Sequence, residues 1–168
     1  TGMRSDSQAG RSYAPIGETP VRQVSGSRFS TNMISTVTNR GKLRFMLYRE
    51  TLTAPVLIRF LSRLIRDAQG RKVFLILDNL RVHHSKKVSA WVGDRKEQIE
   101  LFFLPAYAPE LNPDEYWNCD LKHQVRTGLP ARNQDELERR VRSVMRRLQL
   151  RPQRIRSYFR HPRIAYAA

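Results

Sequence analysis

Hydrophobic and polar residues divide the first third of the chain into an irregular start and a β-rich stretch. Glycines and prolines punctuate residues 1–20, which predicts a loop. Within residues 21–50, the β-branched segment 29–37 and the partly alternating segment 42–48 predict two strands. Asn39-Arg40-Gly41 between them is typical of a hairpin turn.

Two short runs further along the chain are apolar at nearly every position. Residues 73–77 form the first run, which ends at Asp78, and residues 99–104 form the second. A strand that is apolar on both faces is typical of a sheet covered on both sides. Both runs therefore predict central, buried strands.

Four segments carry apolar residues at helical spacing. In the first, Thr53 is a candidate cap and Gly70 ends the helix; the others cover residues 85–93, 113–126 and 134–149. The order of elements predicts an α/β fold with a mixed sheet flanked by helices. After Pro152 the periodicity fades, which predicts a catalytic or binding core over 1–150 and a basic C-terminal tail over 151–168.

Composition favours one folded domain with a polyanionic partner. The chain has 168 residues, 40% of them hydrophobic, and a formal net charge of +16. Nucleic acid is the commonest partner for such a charge, and no run approaches the roughly 20 apolar residues that would span a membrane. The single cysteine, Cys119, excludes an internal disulfide framework and a cysteine-rich zinc site, and it favours a cytoplasmic location.

Positive charge is concentrated at the C-terminal end. Residues 126–168 contain 12 arginines, no lysine and 3 acidic residues. The guanidinium group suits phosphate contact because it donates a planar pair of hydrogen bonds. A solvated, arginine-rich helix face explains the same composition equally well, and the sequence leaves both interpretations open.

Asp78 is the first candidate for chemistry, since it ends an apolar run and precedes Asn79. A buried charge is costly unless it is paired, hydrogen-bonded or bound to metal. Ligands of α/β sheets commonly lie beyond the strand ends. An aspartate that caps the following turn is the alternative.

The second candidate region is Leu104-Pro-Ala-Tyr-Ala-Pro-Glu-Leu-Asn-Pro-Asp-Glu-Tyr-Trp-Asn118, a proline-bracketed loop that leads into a helix. Asp114 and Glu115 fall in the first helical turn, where acids ordinarily offset the helix dipole. Neighbouring residues on a helix project about 100° apart, so these two carboxylates face different directions.

Taken together, Leu77-Asp78-Asn79 with His83 and the segment 104–118 resemble the catalytic core of mariner-superfamily DDE transposases, in particular their bacterial insertion-sequence branch. The similarity extends from Gly2 to about Leu148. The 36 residues between Asp78 and Glu115 are close to the family's separation of its second and third acids.

This resemblance implies an RNase H-like fold and a three-acid site in which Asp78 and Glu115 are the second and third catalytic, metal-binding ligands. It implies two Mg²⁺ (or Mn²⁺) ions, DNA cleavage and strand transfer during transposition, and a homodimer on DNA in a bacterial cytoplasm. His83 matches a family position beside the metal or DNA.

Three further residues are candidates for a place near the site or for DNA contact. Asn79 follows Asp78, Lys86 is either a phosphate contact or solvated, and Asn112 is a candidate for holding the acidic loop. The loop and helix aromatics Tyr107 and Trp117 are expected to be packing groups.

The chain departs from the family at its first acid. Family members carry a pattern such as Asp-Glu-Thr-Gly, whereas this chain begins Thr1-Gly2, and Asp6 is expected to be an ordinary loop carboxylate. We therefore expect the first catalytic strand to be missing or incomplete and the fragment to be inactive alone. A non-catalytic nucleic-acid-binding remnant and a related RNase H-like nuclease are the alternatives.

Overall fold

The computed structural model describes residues 1–5, 15–18, 28–105, 108–126 and 131–167. The strands in this part of the chain are β1 (Gly2–Arg4), β2 (Ser30–Val37), β3 (Leu43–Tyr48), β4 (Val73–Leu77) and β5 (Ile99–Phe103). The helices are α1 (Ala54–Asp67), α2 (Lys86–Gly93), α3 (Pro113–Arg126), α4 (Gln134–Gln149) and α5 (Pro152–Tyr158). Short 3-10 turns cover Arg81–His84, Pro109–Leu111 and Pro162–Ala167.

The predicted hairpin is confirmed. β2 and β3 pair antiparallel, with Val37 opposite Leu43. Gly41 completes the turn with a φ of +82°, a conformation that glycine adopts without a steric penalty.

The loop predicted over residues 1–20 is wrong for Gly2–Arg4, which pairs antiparallel with the start of β2. Three residues are too few to show a period, so pairing with β2 rather than local pattern forms this strand. Met3, the central residue of this strand, is buried. Asp6, Tyr107 and the predicted start of the β-rich stretch at Val21 lie outside the described residues, so these predictions stay predictions.

β4 and β5 pair parallel, but the prediction that both of their faces are covered is wrong. Leu75 and Ile99 are buried against α1 and α2. On the opposite face Phe74 is 65% exposed and Phe102 is 45% exposed, with ring centroids 6.3 Å apart. Among the described residues no layer covers this face, and the apolar run alone could not reveal that.

The helices bury their predicted faces. In α1 the buried stripe includes Leu57, Phe60 and Leu61, although Thr53 makes no side-chain cap. In α4 the stripe includes Leu137, Val141 and Leu148, and the Asn133 side chain caps the helix by accepting a hydrogen bond from Glu136 N at 2.8 Å.

Residues after Pro152 are packed rather than extended. Ile155 in α5 and Ile164 in the final turn are fully buried. Pro152 lies against Gly41 of the hairpin, where its carbonyl oxygen would be 2.5 Å from a Cβ atom on that glycine. The apolar residues of this basic segment show no clear periodicity, so its packing could not be predicted from the sequence.

The strands form a three-stranded antiparallel sheet, β1-β2-β3, and a separate two-stranded parallel sheet, β4-β5. The α/β class is as predicted, with strands of both orientations and flanking helices. No helix in the described part of the chain is long and apolar enough to cross a membrane.

Candidate active site

The two predicted acids line one cleft of about 400 Å³ between the two sheets. One wall is β2 and the other is β4, and the start of α3 closes one end. Asp78 enters from the end of β4, whereas Glu115 enters from the first turn of α3. The fold therefore brings together two residues that are separated by 36 intervening residues in the sequence.

Asp78 is held by His83. His83 Nδ1 lies 2.9 Å from the backbone carbonyl oxygen of Asp78 and 3.1 Å from its Oδ1 atom. Since a carbonyl oxygen can only accept, Nδ1 carries a proton and donates a hydrogen bond to that carbonyl oxygen, while Oδ1 lies at ion-pair distance from the same ring nitrogen. His83 is buried, and it therefore fixes the orientation of a carboxylate that is otherwise half-exposed.

The pKa values of these two groups shift in the directions that favour an ion pair. The hydrogen bond from His83 lowers the pKa of Asp78 below its usual value of 3.8, against the opposing effect of burial. Burial by itself lowers the pKa of His83, but hydrogen bonds to Asp78 and its charge outweigh that effect and raise the pKa above 6.5.

Asp114, next to Glu115, is occupied by structural hydrogen bonds. Its carboxylate accepts from Ser35 Oγ at 3.0 and 3.1 Å, from Trp117 Nε1 at 2.6 Å and from Asn118 Nδ2 at 3.4 Å. Burial raises the pKa of Asp114 to about 6, and the hydrogen bonds from Trp117 and Ser35 oppose that rise. This network ties α3 to β2 and leaves Asp114 few oxygen lone pairs for a metal.

Glu115 is exposed on the cleft side of the same helical turn. Its backbone N–H donates to Asn112 O at 3.1 Å, while Asn112 Oδ1 accepts from Asp114 N at 2.9 Å. Asn112 therefore caps α3, the loop-holding role that the sequence suggested for it, and its own side chain also lines the cleft.

Two further residues lie near the acids. Thr1 lines the same cleft, and Lys122 lies on the same face of α3 as Glu115, two helical turns further along. Sequence reasoning missed Lys122, although its position seven residues after Glu115, two helical turns along α3, was an available signal.

The C-terminal segment also contributes to the cleft, which the sequence did not predict. Phe159 and Tyr166 line it. Tyr166 Oη donates to the Leu111 carbonyl oxygen at 2.6 Å and so fixes the turn before α3. Trp117, expected to be a packing group, is fully buried.

Two other predicted residues lie outside the cleft lining. The side-chain oxygen of Asn79 is hydrogen-bonded to His84 Nε2, and the His84 ring stacks on Phe103 at 4.2 Å. Lys86 is exposed at the start of α2, where Ser85 is the capping residue. The structure therefore brings Asp78, His83, Asn112 and Glu115 together and leaves Asn79 and Lys86 at the periphery.

The donor set fits a hard divalent cation in part. Asp78 Oδ1 is buried without a hydrogen-bond partner among the described residues, and His83 Nδ1 lies 3.1 Å from it at ion-pair distance. Glu115 offers a second carboxylate on the same cleft. In the part of the chain that the structure describes, no group of three or more His, Cys, Asp or Glu side chains is arranged to hold a metal. The described part of the cleft therefore offers Asp78 and Glu115 as two candidate carboxylate ligands, a type of donor that a hard divalent cation prefers.

Solved structures with the same fold include three of the Mos1 mariner transposase. A Mos1 mariner paired-end complex with Mn matches with a TM-score of 0.68 and 14% identity over 99% of this chain and 54% of that one. A Mos1 transposase paired-end complex with the left transposon end matches with a TM-score of 0.60 and 16% identity. That match covers 89% of this chain and 50% of the other chain. A pre-cleavage Mos1 transpososome matches with a TM-score of 0.56 and 16% identity, and the match covers 94% of this chain and 53% of the other chain.

These matches confirm the RNase H-like fold predicted from the motifs, and the chain spans about half the length of the solved structures. No curated protein matches the chain. A model of the family described as DDE superfamily endonuclease matches residues 1–138, which include β1, Asp78 and Glu115. The chain therefore belongs to the DDE superfamily endonucleases.

Proposed function

We propose that this chain is the catalytic domain of a DDE transposase, which cleaves DNA strands and transfers them during transposition. The observation that carries the proposal is the convergence of Asp78 and Glu115 on one cleft in a member of this endonuclease family. The core over residues 1–150 holds the acids, and the segment 151–168 supports them through Phe159 and Tyr166.

Asp78 and Glu115 would hold divalent metal, Mg²⁺ or Mn²⁺, through carboxylate oxygens. Mg²⁺ prefers oxygen donors and keeps several of its waters, so a half-exposed cleft suits it. When two such ions are bound, they activate a water or a DNA 3′-hydroxyl and stabilise the leaving oxygen of an in-line displacement.

The chain's own groups prepare the cleft for that chemistry. His83 Nδ1 donates to the Asp78 backbone carbonyl oxygen and lies 3.1 Å from the Asp78 carboxylate, which orients that carboxylate and lowers its pKa. Asn112 and Asp114 fix the first turn of α3, and that turn sets the position of Glu115. Lys122, which lies on the same face of α3 as Glu115, brings a positive charge to this region, where a DNA phosphate would carry negative charge.

DNA is the proposed partner. The Mos1 structures that share this fold are paired-end complexes and a transpososome, one with the left transposon end. The net charge of +16 supports a polyanionic partner. Action as a homodimer on paired ends, and membership of the bacterial insertion-sequence branch, are parts of the same proposal.

The chain alone is proposed to be inactive. Of the carboxylates on the cleft, Asp114 is committed to Ser35 and Trp117, which leaves Asp78 and Glu115 for metal. A two-metal site needs more oxygen ligands than these two residues provide. A further acid is therefore required for efficient cleavage.

Metal-dependent nicking and joining of a labelled duplex tests the proposal. We expect a longer protein, carrying this chain behind an apolar strand that ends in Asp-Glu, to cleave with Mg²⁺ or Mn²⁺. We expect Asp78→Asn or Glu115→Gln to abolish cleavage while duplex affinity holds, and residues 1–168 alone to be inactive. Robust cleavage by residues 1–168 would refute the requirement for a further acid.

The same assay separates the alternatives. Nicks without joined products would favour a related nuclease, since strand transfer distinguishes a transposase from it. Duplex binding that never depends on metal, with no cleavage by the longer protein, would favour a non-catalytic nucleic-acid-binding protein.

A further inference from the structure

A second groove, of about 520 Å³, shares no lining residue with the acidic cleft. It lies between α1 and α4, over the residues of β3. Four arginines line it: Arg44 from β3, Arg63 from α1, and Arg142 and Arg146 from α4. We call it the arginine groove.

The arginine groove has an excess of positive charge. Asp67 is the only acid among its lining residues, and it is paired with Arg44 at 2.6 Å. Glu138 acts electrostatically on Arg142, but its carboxylate is bound to Arg49 at 2.6 Å. The positive charges of Arg63, Arg142 and Arg146 therefore outnumber the negative charges of the acids near the groove.

Arg146 is held in position before any ligand arrives. Its Nη1 donates to Gln149 Oε1 at 3.1 Å, and its guanidinium carbon lies 5.7 Å from the centre of the Phe45 ring. Gln149 is itself anchored, because its Nε2 donates to the Leu43 carbonyl oxygen at 2.9 Å. A pre-organised guanidinium loses less conformational freedom when it binds an anion.

The spacing on α4 suits a regular polyanion. Arg142 and Arg146 are both exposed and four residues apart, so their side chains leave the helix roughly 5–6 Å from one another. Successive phosphates on one strand of B-DNA advance about 3.4 Å along the helix axis and also turn around it, so the spacing of the two arginines is of the same order as that of neighbouring phosphates.

An acidic peptide added as a strand to the edge of β3 is a poorer fit. Strand addition uses the free backbone groups of an edge strand. Here the Gln149 amide already occupies the Leu43 carbonyl oxygen at the start of β3. The groove therefore presents guanidinium groups more readily than backbone donors and acceptors.

We propose that the arginine groove binds the phosphate backbone of duplex DNA at a place separate from the acidic cleft. This inference rests on the proposed function for its choice of DNA as the partner. The groove supplies sequence-independent affinity, whereas the cleft supplies the chemistry.

Fluorescence anisotropy with a random-sequence 30-base-pair duplex tests the proposal on residues 1–168. The variant is Arg142→Gln/Arg146→Gln, and the matched control is Arg147→Gln/Arg151→Gln, which removes two exposed arginines from a different cleft. Thermal unfolding confirms that both variants are folded. All binding is measured in EDTA, so the result is independent of metal at the acidic cleft and of the cleavage assay.

If each groove arginine neutralises one phosphate, the slope of log K against log salt falls by about 1.8 and affinity at 0.15 M salt falls roughly 30-fold. The control is expected to lose less than about threefold. An equal loss in both variants would show that only net charge matters and would overturn the proposal. So would unchanged duplex affinity combined with lost binding of poly-glutamate, which would identify an acidic polypeptide as the ligand.

Discussion

Gly41 offers a sharp test of how the hairpin and the C-terminal helix fit together. Its φ is +82°, and a Cβ atom placed on it would lie 2.5 Å from the Pro152 carbonyl oxygen and 2.8 Å from the Pro152 Cβ atom. The perturbation is Gly41→Ala. Gly70 is the matched control, because its φ is +81° and its added Cβ atom would meet nothing within 4 Å.

The structure separates two costs of this substitution. Alanine at a left-handed φ costs about 1–2 kcal/mol, and this cost applies at both glycines. Only Gly41→Ala also forces backbone at the start of α5 to move, which costs about 1–3 kcal/mol more. We therefore expect unfolding free energies lower by about 2–5 kcal/mol for Gly41→Ala and by about 1–2 kcal/mol for Gly70→Ala.

Urea and thermal unfolding of residues 1–168 measure both variants. The extra cost at Gly41 corresponds to a melting temperature roughly 2–12 °C below that of Gly70→Ala. Equal destabilisation would contradict the reasoning, because it would mean that Pro152 does not press against the hairpin. The segment after residue 151 would then be the loose basic tail that its composition suggests.

Two further predictions concern the acids of α3 and α4. Trp117→Phe removes the indole N–H that donates to Asp114 at 2.6 Å and should lower the urea-unfolding free energy by about 2–4 kcal/mol; a loss below about 0.5 kcal/mol would contradict the bond. A hydrogen bond from the backbone N–H of Arg132 lowers the pKa of Glu136 below its usual value of 4.5, and a hydrogen bond from the Arg140 side chain lowers it further. The ionised Glu136 carboxylate therefore stabilises the fold above about pH 4.5, and this contribution is lost as the pH falls through the folded-state pKa of Glu136. Glu136→Gln should remove that component from the difference in stability between pH 7 and pH 3, whereas an unchanged difference would show that the pairing contributes nothing.

The sequence was most informative where one local rule decided the outcome. The turn at Gly41 and the buried stripe of α4 follow from a left-handed glycine and from a 3.6-residue period. Asn112 was a candidate for holding the acidic loop, and its side-chain oxygen accepts a hydrogen bond from Asp114 N at 2.9 Å. The pairing of Asp78 with Glu115 required the motif, since neither carboxylate is distinctive by position alone.

The sequence was least informative where long-range packing decided the outcome. β1 is too short for a period and exists through its pairing with β2. The exposure of Phe74 depends on what lies over the β4-β5 sheet, which the strand's own composition does not encode. Tyr166 reaches the Leu111 carbonyl oxygen across 55 positions of the chain, and no local pattern reports such a contact.

Binding of Mn²⁺ to residues 1–168, followed by electron paramagnetic resonance, tests most directly whether Asp78 and Glu115 form one metal site. Wild type is compared with Asp78→Asn, Glu115→Gln, the double variant and the exposed control Asp94→Asn. We expect each single variant to weaken binding at least about tenfold, the control to leave it unchanged, and the double variant to lose less than the two single effects combined. Mn²⁺ affinity that neither substitution alters, or two losses that simply add, would contradict a shared site.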